Sequence, residues 1–413
     1  MLFNDVYRPD AKVARFLNVL VLSGVSYGLY QGIQSNYLAE IIGITPFERG
    51  IVEFFRETPG LLLVFILALM YRFSDSRIFK IGNAIMTGGM IGLLLTSLSG
   101  FFMTKLFVVV FMVLFSTGEH IIMPVRTIIS LDLAKREKAG ASLGITSSIN
   151  QVGHIIGNFL VMAVFLILIR MGINRTDILG YRIVFGVSVA LMITAFMVAI
   201  ALKETTLKSQ RRRFYFARKF RKYYMLEIFY GARKQIFLTF APYVLVLHYG
   251  ADPSIISLLY AVCAGFGILC GPLMGRILDG LGYKVVMVGD TLILIVVCLL
   301  YGFAHRLFSP GVAFIVVCSN FVLDSIISMA SMASNVYVQR IASSQEEITA
   351  TLSTGVSVNH LISVLIALLG GWIWSVTGIE VLFSLSAFLG LMNSIYAATI
   401  KKSEEYKNEE TAT

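Results

Sequence analysis

The chain contains a succession of apolar stretches, each long enough to cross about 30 Å of hydrocarbon as a helix. We place twelve of them, at 12–42, 46–71, 79–102, 105–133, 138–170, 180–202, 221–249, 252–279, 283–304, 309–340, 347–376 and 379–400. Backbone polar groups inside a bilayer must be bonded within the protein, so each stretch is predicted to be helical. The first stretch lacks a small-residue cleavage site and more spans follow it, so we expect a retained helix.

The composition excludes an ordinary soluble domain. Charged residues make up 14% of the chain, against about 25% in a typical soluble protein. Hydrophobic residues reach 57% and the mean hydropathy is +0.80. A water-soluble fold would leave much of this apolar surface wet, whereas a bilayer is itself an apolar solvent. We therefore predict an all-α integral membrane protein.

The distribution of basic residues predicts the orientation in the membrane. If both termini are cytoplasmic, most of the 34 Lys and Arg residues fall on cytoplasmic segments, and basic loops resist translocation. The net charge of +10 is then explained by the basic residues of the cytoplasmic segments, which set the orientation in the membrane. No soluble basic domain is present, so we expect no nucleic-acid partner. The predicted location is the cell membrane, with the bilayer as partner.

A short polar cluster occurs once in each half of the sequence. Arg72, Asp75 and Lys80 recur with the same spacing as Arg276, Asp279 and Lys284, each set following an even-numbered span. A second echo places Asn150 (in SIN) and Asn359 (in SVN) at corresponding positions of the fifth spans. Repeated halves of six helices are a known transporter plan. The predicted domains are a six-helix bundle at 1–202, a basic cytoplasmic linker at 203–222, a second six-helix bundle at 223–400 and a cytoplasmic tail at 401–413.

The linker contains RRRFYFARKFRKYY at residues 211–224. The sequence allows two interpretations of this stretch. It is either a basic anchor with aromatic residues at the headgroup level, or an amphipathic helix lying on anionic lipid and restraining the two halves.

The second polar cluster resembles the loop signature of the major facilitator superfamily. Gly275, Asp279, Gly282 and Lys284 match the signature, and the first copy keeps Asp75 and Lys80 but has Tyr71 and Ile78 at the glycine positions. The resemblance implies twelve transmembrane helices in two pseudo-symmetric six-helix bundles. It also implies a cytoplasmic gate formed by Arg72, Asp75, Lys80, Gly275, Arg276, Asp279, Gly282 and Lys284.

A further resemblance concerns the fifth span. Gly144, Gly153 and Gly157 follow the glycine spacing of drug/proton antiporters in the same superfamily, although Asn158 stands where a proline is expected. This resemblance favours export. The alternative is that the glycines allow two helices to pack closely.

Charged residues inside the spans indicate where the chemistry lies. Placing one charged side chain at the bilayer centre costs roughly 2.5–3.5 kcal/mol. If all the charged side chains inside the spans faced lipid, the total cost would exceed the ~5–15 kcal/mol by which proteins are usually stable. They must therefore face one another or a water-filled cavity. The candidates for proton coupling, since carboxyls can exchange protons, are Glu119, Asp324, Glu53, Glu57 and Glu227. The candidates for lining the substrate cavity are Tyr27, Tyr30, Gln31, Gln34, Arg56, His120, Arg126, Asn150, His154, Tyr230, Arg233, Lys234, Asn359 and His360.

Several of these residues have structural alternatives. Glu53, Arg56 and Glu57 have the spacing of a helical ion pair plus one further acid. The candidate histidines, and the tyrosines of the first span, have the alternative role of filling space between helices, without contacting a solute. Lys234 is the best candidate for binding an anion, because Glu227 and Tyr230 share its helix face.

No other chemistry is indicated by the sequence. There is no phosphate-binding loop of the Walker type and no His or Cys spacing typical of a metal site, so we expect no ATP coupling and no cofactor. The prediction is a monomeric secondary transporter of a small organic solute, driven by protons and working by alternating access. The alternatives are an importer of a polar or anionic nutrient, and a receptor or enzyme on the same fold.

Overall fold

The computed structural model describes residues 5–8, 10–98, 104–135, 137–202 and 215–400. Over these ranges the chain is almost entirely helical, and the only extended pairing is an isolated bridge between Tyr7 and Ala134. The helices are α1 (Ala11–Asn36), α2 (Pro46–Leu61), α3 (Leu63–Leu69), α4 (Asp75–Leu98), α5 (Lys105–Leu133), α6 (Ala139–Arg170), α7 (Ile178–Ile200), α8 (Arg221–Tyr249), α9 (Pro253–Leu281), α10 (Tyr283–Leu307), α11 (Pro310–Ile327), α12 (Met332–Ile341), α13 (Gln345–Thr377) and α14 (Ile379–Ala398).

Each predicted span contains helix, and ten helical segments in the described part of the chain are long and apolar enough to cross a membrane. The two predicted spans outside this set are α2 with α3, and α8. They carry the intramembrane charges at 53–57 and at 227–234, which lower their hydropathy. These two segments therefore combine membrane-spanning length with polar side chains.

Three spans depart from a continuous α-helix. A π-helical turn at Tyr37–Ile41 extends α1, a 3₁₀ turn at Ser328–Ser331 joins α11 to α12, and Leu62 separates α2 from α3. Pro59 lies inside α2 just before this break, and a proline removes a backbone donor from the helical ladder. The interruption of the second span therefore follows a proline of its own sequence.

The described residues form two compact units. Unit 1 contains the described part of Met1–Ile44, Phe55–Arg211 and Gly250–Gly265. Its main contacts are α1 with α6 and α7, and α4 with α5 and α7. Its largest fully buried side chains include Phe16, Phe115 and Tyr181.

Unit 2 contains the described part of Thr45–Phe54, Arg212–Tyr249 and Phe266–Thr413. Its main contacts are α8 with α13 and α14, and α10 with α11 and α14. An aromatic cluster that includes Tyr223, Tyr283 and Tyr337 is buried where α8 and α10 begin and α12 ends. The Tyr283 and Tyr337 rings lie 5.5 Å apart between centroids.

Glycines set the distance between α1 and α6 in unit 1. A Cβ atom built on Gly153 would lie 3.0 Å from the Cα of Gly24, and one built on Gly157 would lie 2.9 Å from the Cα of Gly28. Gly24 and Gly28 are four residues apart, as are Gly153 and Gly157, so the two helices meet backbone to backbone. A Cβ on Gly144 would meet nothing within 4 Å. Close packing thus accounts for two of the three glycines that resemble the antiporter spacing.

The basic linker lies mainly outside the described residues, as does the tail at 401–413. The described end of the linker, within unit 2, is attached to the start of α13. Tyr215 donates its backbone N–H to Thr354 Oγ1 at 2.9 Å and its hydroxyl to Glu347 at 2.7 Å. Lys219 Nζ forms an ion pair with the same carboxylate at 2.6 Å.

Candidate functional site

Glu119 is the centre of a polar cluster in unit 1. It is the middle residue of α5, about 21 Å along the helix from either end. Its carboxylate interacts with the Tyr27 hydroxyl and lies within electrostatic range of Arg56 and Arg126. All of these side chains are half-buried. Opposite charges on α2 and α5 therefore lie near one another inside the unit, with the Tyr27 hydroxyl of α1 beside them.

Arg56 is fixed by groups on both sides. Its Nη2 atom lies 2.5 Å from Glu57 Oε1, and the side chains of the pair are 17% and 10% exposed. Its backbone carbonyl accepts a hydrogen bond from Ser116 Oγ at 2.6 Å, which connects α2 to α5. The structure thus pairs Arg56 with its sequence neighbour Glu57.

The predicted histidines of unit 1 have different surroundings. The His154 ring stacks on Tyr27 with centroids 4.7 Å apart, and its Nε2 atom lies 3.1 Å from Asn150 Nδ2. His154 and Asn150 therefore extend the Glu119 cluster from Tyr27 onto α6. His120 is buried, and its Nδ1 atom lies 2.8 Å from the Ser116 carbonyl oxygen, so part of its hydrogen bonding is used within α5.

The tyrosine and glutamine stripe on α1 divides into two parts. Gln31 and Gln34 are half-buried, as is Tyr27. Tyr30 is buried, and its ring centroid lies 4.7 Å from that of Phe115. Only the half-buried members of the stripe have side-chain surface free for a solute.

A second polar cluster, in unit 2, is built around Arg233. Its Nη2 atom lies 3.2 Å from Asp290 Oδ2, and the side chains are 2% and 9% exposed. The guanidinium also lies over the Tyr230 ring, 4.9 Å from its centroid, and within electrostatic range of Asp324. Asp324 is near the middle of the span Pro310–Ile341 and is half-buried. One cation is therefore surrounded by two carboxylates and an aromatic ring.

Glu227 lies close to this cluster and is buried. Its carboxylate accepts hydrogen bonds from Ser334 Oγ at 3.0 Å and from Asn359 Nδ2 at 3.3 Å. Lys234, near the middle of α8, lies within its electrostatic range. Asn359 thus contacts a predicted carboxylate, whereas its counterpart Asn150 contacts a histidine. His360, next to Asn359 on α13, is half-buried.

Glu53 has a different environment from the other predicted carboxylates. Arg49 Nη1 lies 2.8 Å from Glu53 Oε2 within α2, and the two side chains are 3% and 1% exposed. Gln235 Nε2 donates to Glu53 Oε1 at 3.1 Å. The carboxylate is enclosed by a cation and an amide, which is typical of a structural ion pair.

The two copies of the predicted gate have different local structures. In the second copy, α9 continues through Asp279 and α10 begins at Tyr283, so Gly282 alone makes the turn at φ +78°. That backbone conformation favours glycine. In the first copy Ile78 occupies the corresponding position, where the chain is already helical, and the turn lies upstream of Asp75.

The charged side chains of the two copies differ in exposure as well. Asp75 is 2% exposed in the first turn of α4, whereas Asp279 is exposed. Arg72 and Arg276 are also exposed, and Lys80 and Gly275 are half-buried. Arg72 Nε donates to the Tyr71 hydroxyl at 2.8 Å, and Lys284 Nζ donates to the Ile400 carbonyl at 2.7 Å.

Two residues of these clusters are absent from the set predicted from the sequence. Arg49 is four residues before Glu53, and this spacing in the sequence predicts an ion pair along the helix. Asp290 lies away from the middle of its span, and its contact with Arg233 joins helices far apart in sequence. A single sequence contains no spacing that predicts a contact between helices so far apart.

Comparisons with known proteins agree with this architecture. The family model described as Major Facilitator Superfamily matches residues 223–412. A solved bacterial homologue of the human lysosomal transporter Spinster has a TM-score of 0.71 at 15% identity, over 97% of this chain and 99% of that chain. A variant of the nucleoside transporter NupG gives 0.72 at 14%, over 95% and 100%. The D-xylose–proton symporter gives 0.73 at 13%, over 96% and 100%. No curated protein matches the sequence.

The helical fold and the match over residues 223–412 are typical of multi-pass membrane transporters. The family match covers the second half of the chain, and the fold over nearly the whole chain is that of the solved transporters, which confirms the predicted all-α membrane fold.

Proposed function

We propose that this protein is a proton-coupled secondary transporter of a small organic solute that works by alternating access. The observation that carries the proposal is the placement of Glu119 and Asp324. Each lies near the middle of its span, each is half-buried, and each is within electrostatic range of an arginine of its own unit. Ionisable groups at such depth are costly and are typical of proton and solute pathways.

The chemistry of a carboxylate beside an arginine supports coupling. When the carboxyl is ionised it balances the guanidinium, and when it is protonated the arginine needs another partner. Loading and release of a proton therefore change which contacts an arginine makes, and that change can favour one conformation over another. Glu119 with Arg56 and Arg126, and Asp324 with Arg233, both meet this requirement.

The side chains around the two clusters favour a polar or amphipathic organic solute. Tyr27, His154 and Asn150 offer an aromatic face and hydrogen-bonding groups in unit 1, and Tyr230 with Lys234 offers the same in unit 2. Sites with an apolar wall and a few polar groups typically bind small organic molecules. The D-xylose–proton symporter, which shares the fold, is named as a carrier of this type.

We propose export as the direction, on the glycine spacing of α6 alone, and an inner or plasma membrane location with both termini cytoplasmic. The proposal includes two six-helix bundles at 1–202 and 223–400, joined by the basic linker, in a monomer. The repeated loop residues would form the cytoplasmic gate. An importer of a polar or anionic nutrient is the alternative, and the direction of pH-driven flux distinguishes the two.

The experiment begins with a thermal-shift screen of the purified protein against a panel of solutes. A ligand at a hundred times its Kd stabilises the folded state by about 2.7 kcal/mol, which is readily measured. The solute found in this way is then followed in proteoliposomes under an imposed pH gradient. Solute exchange without a gradient is measured in parallel.

We expect Glu119→Gln and Asp324→Asn to abolish pH-driven movement while leaving solute binding measurable. Glu137→Gln, which removes an exposed carboxylate in unit 1, is the matched control and should behave like the wild type. Full pH-driven transport by both Glu119→Gln and Asp324→Asn would remove these residues as proton carriers.

A further inference from the structure

A cleft inside unit 2 has the chemistry of a cation site. It is lined by Glu227 and Tyr230 of α8, Asp290 of α10, Ser331 and Ser334 at the α11–α12 junction, and Asn393 of α14, together with apolar side chains. The free space admits an ion or a water molecule but no drug-sized solute. Its polar atoms come from carboxylates, hydroxyls and one amide, which are the oxygen ligands that hard cations prefer.

Two acceptor oxygens in this cleft receive no hydrogen bond from a side chain of the described residues. Asp290 Oδ2 is paired with Arg233, but Asp290 Oδ1 accepts no hydrogen bond from any side chain of the described residues. Asn393 Oδ1 is likewise buried without a hydrogen-bond partner in the described part of the chain. Both side chains are more than nine-tenths buried, at 9% and 6% exposure. Unsatisfied buried oxygens are costly, so this pair is suited to a bound positive charge.

The hydroxyl groups of Ser334 and Tyr230 donate to other acceptors. Ser334 Oγ donates to Glu227 Oε1 at 3.0 Å, and the Tyr230 hydroxyl donates to the Ser328 carbonyl at 3.4 Å. Their hydrogens are directed to other acceptors, so their oxygens remain available as ligands. The lining is therefore rich in acceptors.

The charges around the cleft leave an excess of carboxylate. Glu227, Asp290 and Asp324 face two bases, Arg233 and Lys234, across α8, α10 and α11. In unit 1 the corresponding cluster has Glu57 and Glu119 against Arg56 and Arg126, which balance. One further positive charge in unit 2 would neutralise its cluster.

We propose that the cleft between α8, α10, α12 and α14 binds a small monovalent cation of the Na⁺ class. Asp290 Oδ1 and Asn393 Oδ1 are the principal ligands, and Ser331, Ser334 and Glu227 complete an all-oxygen site. The residues lie within about three turns of the helix ends that we propose to be cytoplasmic. The site goes beyond the proposed solute transport, because binding at Asp290 requires neither a solute nor a proton gradient.

The test measures Na⁺ binding to the purified full chain at fixed pH, with choline replacing Na⁺ at constant ionic strength. We expect saturable thermal stabilisation by Na⁺, and saturable ²²Na⁺ binding in a scintillation proximity assay. Asn393→Leu and Asp290→Asn should each weaken the apparent Na⁺ affinity by about tenfold or more, as expected for groups that ligate the ion. Glu137→Gln should leave the affinity unchanged.

Asn393→Leu keeps the proposal testable if Asp290→Asn does not fold, because it leaves the Arg233–Asp290 pair intact. Absence of saturable Na⁺ binding to the wild type would overturn the proposal, as would unchanged affinity in Asn393→Leu. Stabilisation by methylammonium but not by Na⁺ would also overturn the Na⁺ assignment. None of these results affects the pH-driven transport assay, so failure here is distinct from failure of the proposed function.

Discussion

The buried pair between Arg49 and Glu53 allows a quantitative test of which acids are structural. Both side chains are almost fully enclosed, at 3% and 1% exposure, and they lie 2.8 Å apart. Removing one partner of such a pair leaves an uncompensated buried charge, which typically costs ~3–5 kcal/mol. We therefore expect Arg49→Met and Glu53→Gln each to lower the free energy of unfolding by about this amount.

The double variant Arg49→Met/Glu53→Gln contains neither charge, so the desolvation cost disappears together with the attraction. We expect it to be more stable than either single variant by ~2 kcal/mol or more. The control is the exposed pair of Lys219 and Glu347, in which the lysine is 40% exposed. Because solvent screens that pair, Lys219→Met should cost about 1 kcal/mol or less.

The assay is unfolding of the purified protein in one detergent, followed by thermal shift and by denaturant titration. If Glu53 is structural, the double variant should also retain pH-driven transport, because no proton is carried by this residue. A Glu53→Gln variant within about 1 kcal/mol of the wild type would refute the reasoning. So would a double variant no more stable than the single ones, or a stable double variant that has lost pH-driven transport.

Two glycine substitutions with matched controls test the local geometry. Gly282→Ala should lower the free energy of unfolding by about 1–2 kcal/mol, because φ is +78° while the space around a Cβ is open. The control Gly280→Ala, inside α9 and equally open, should be neutral or slightly stabilising. Equal effects of the two substitutions in denaturant unfolding would contradict this account. Gly153→Ala should cost ~1–3 kcal/mol because its Cβ would meet the Gly24 backbone. Gly144→Ala should be tolerated in the same measurement, and a loss of stability there as large as at Gly153 would show that close packing is not the reason for the difference.

The positions of the helices could be predicted from the sequence because the bilayer imposes length and hydropathy on every span. The largest discrepancy between predicted and observed helix bounds occurs where the end of a helix contains charged residues. The third span is predicted at 79–102, whereas α4 occupies Asp75–Leu98. Its first turn contains Asp75 and Arg77, which a search for apolar residues assigns to a loop although Asp75 suits a helix N-terminus.

The partners of the intramembrane charges were much less predictable. The spacing of Glu53 and Arg56 indicates a pair along one helix face, and the structure adds pairs of Glu53 with Arg49 and of Arg56 with Glu57. Pairing of Arg233 with Asp290 depends on how α8 packs against α10. The desolvation cost of a buried charge predicts that each such charge has a partner. Which residue is the partner depends on the tertiary structure.

The contact between Gly24 and Gly28 of α1 and Gly153 and Gly157 of α6 has a consequence for motion. Side chains can change rotamers and let two helices slide, but here main chain rests on main chain and no such adjustment exists. We expect α1 and α6 to travel together as a stiff pair through any transport cycle. We then expect flexing within the first half of the chain at interrupted elements such as the junction at Leu62, just after Pro59, which has no backbone N–H to donate.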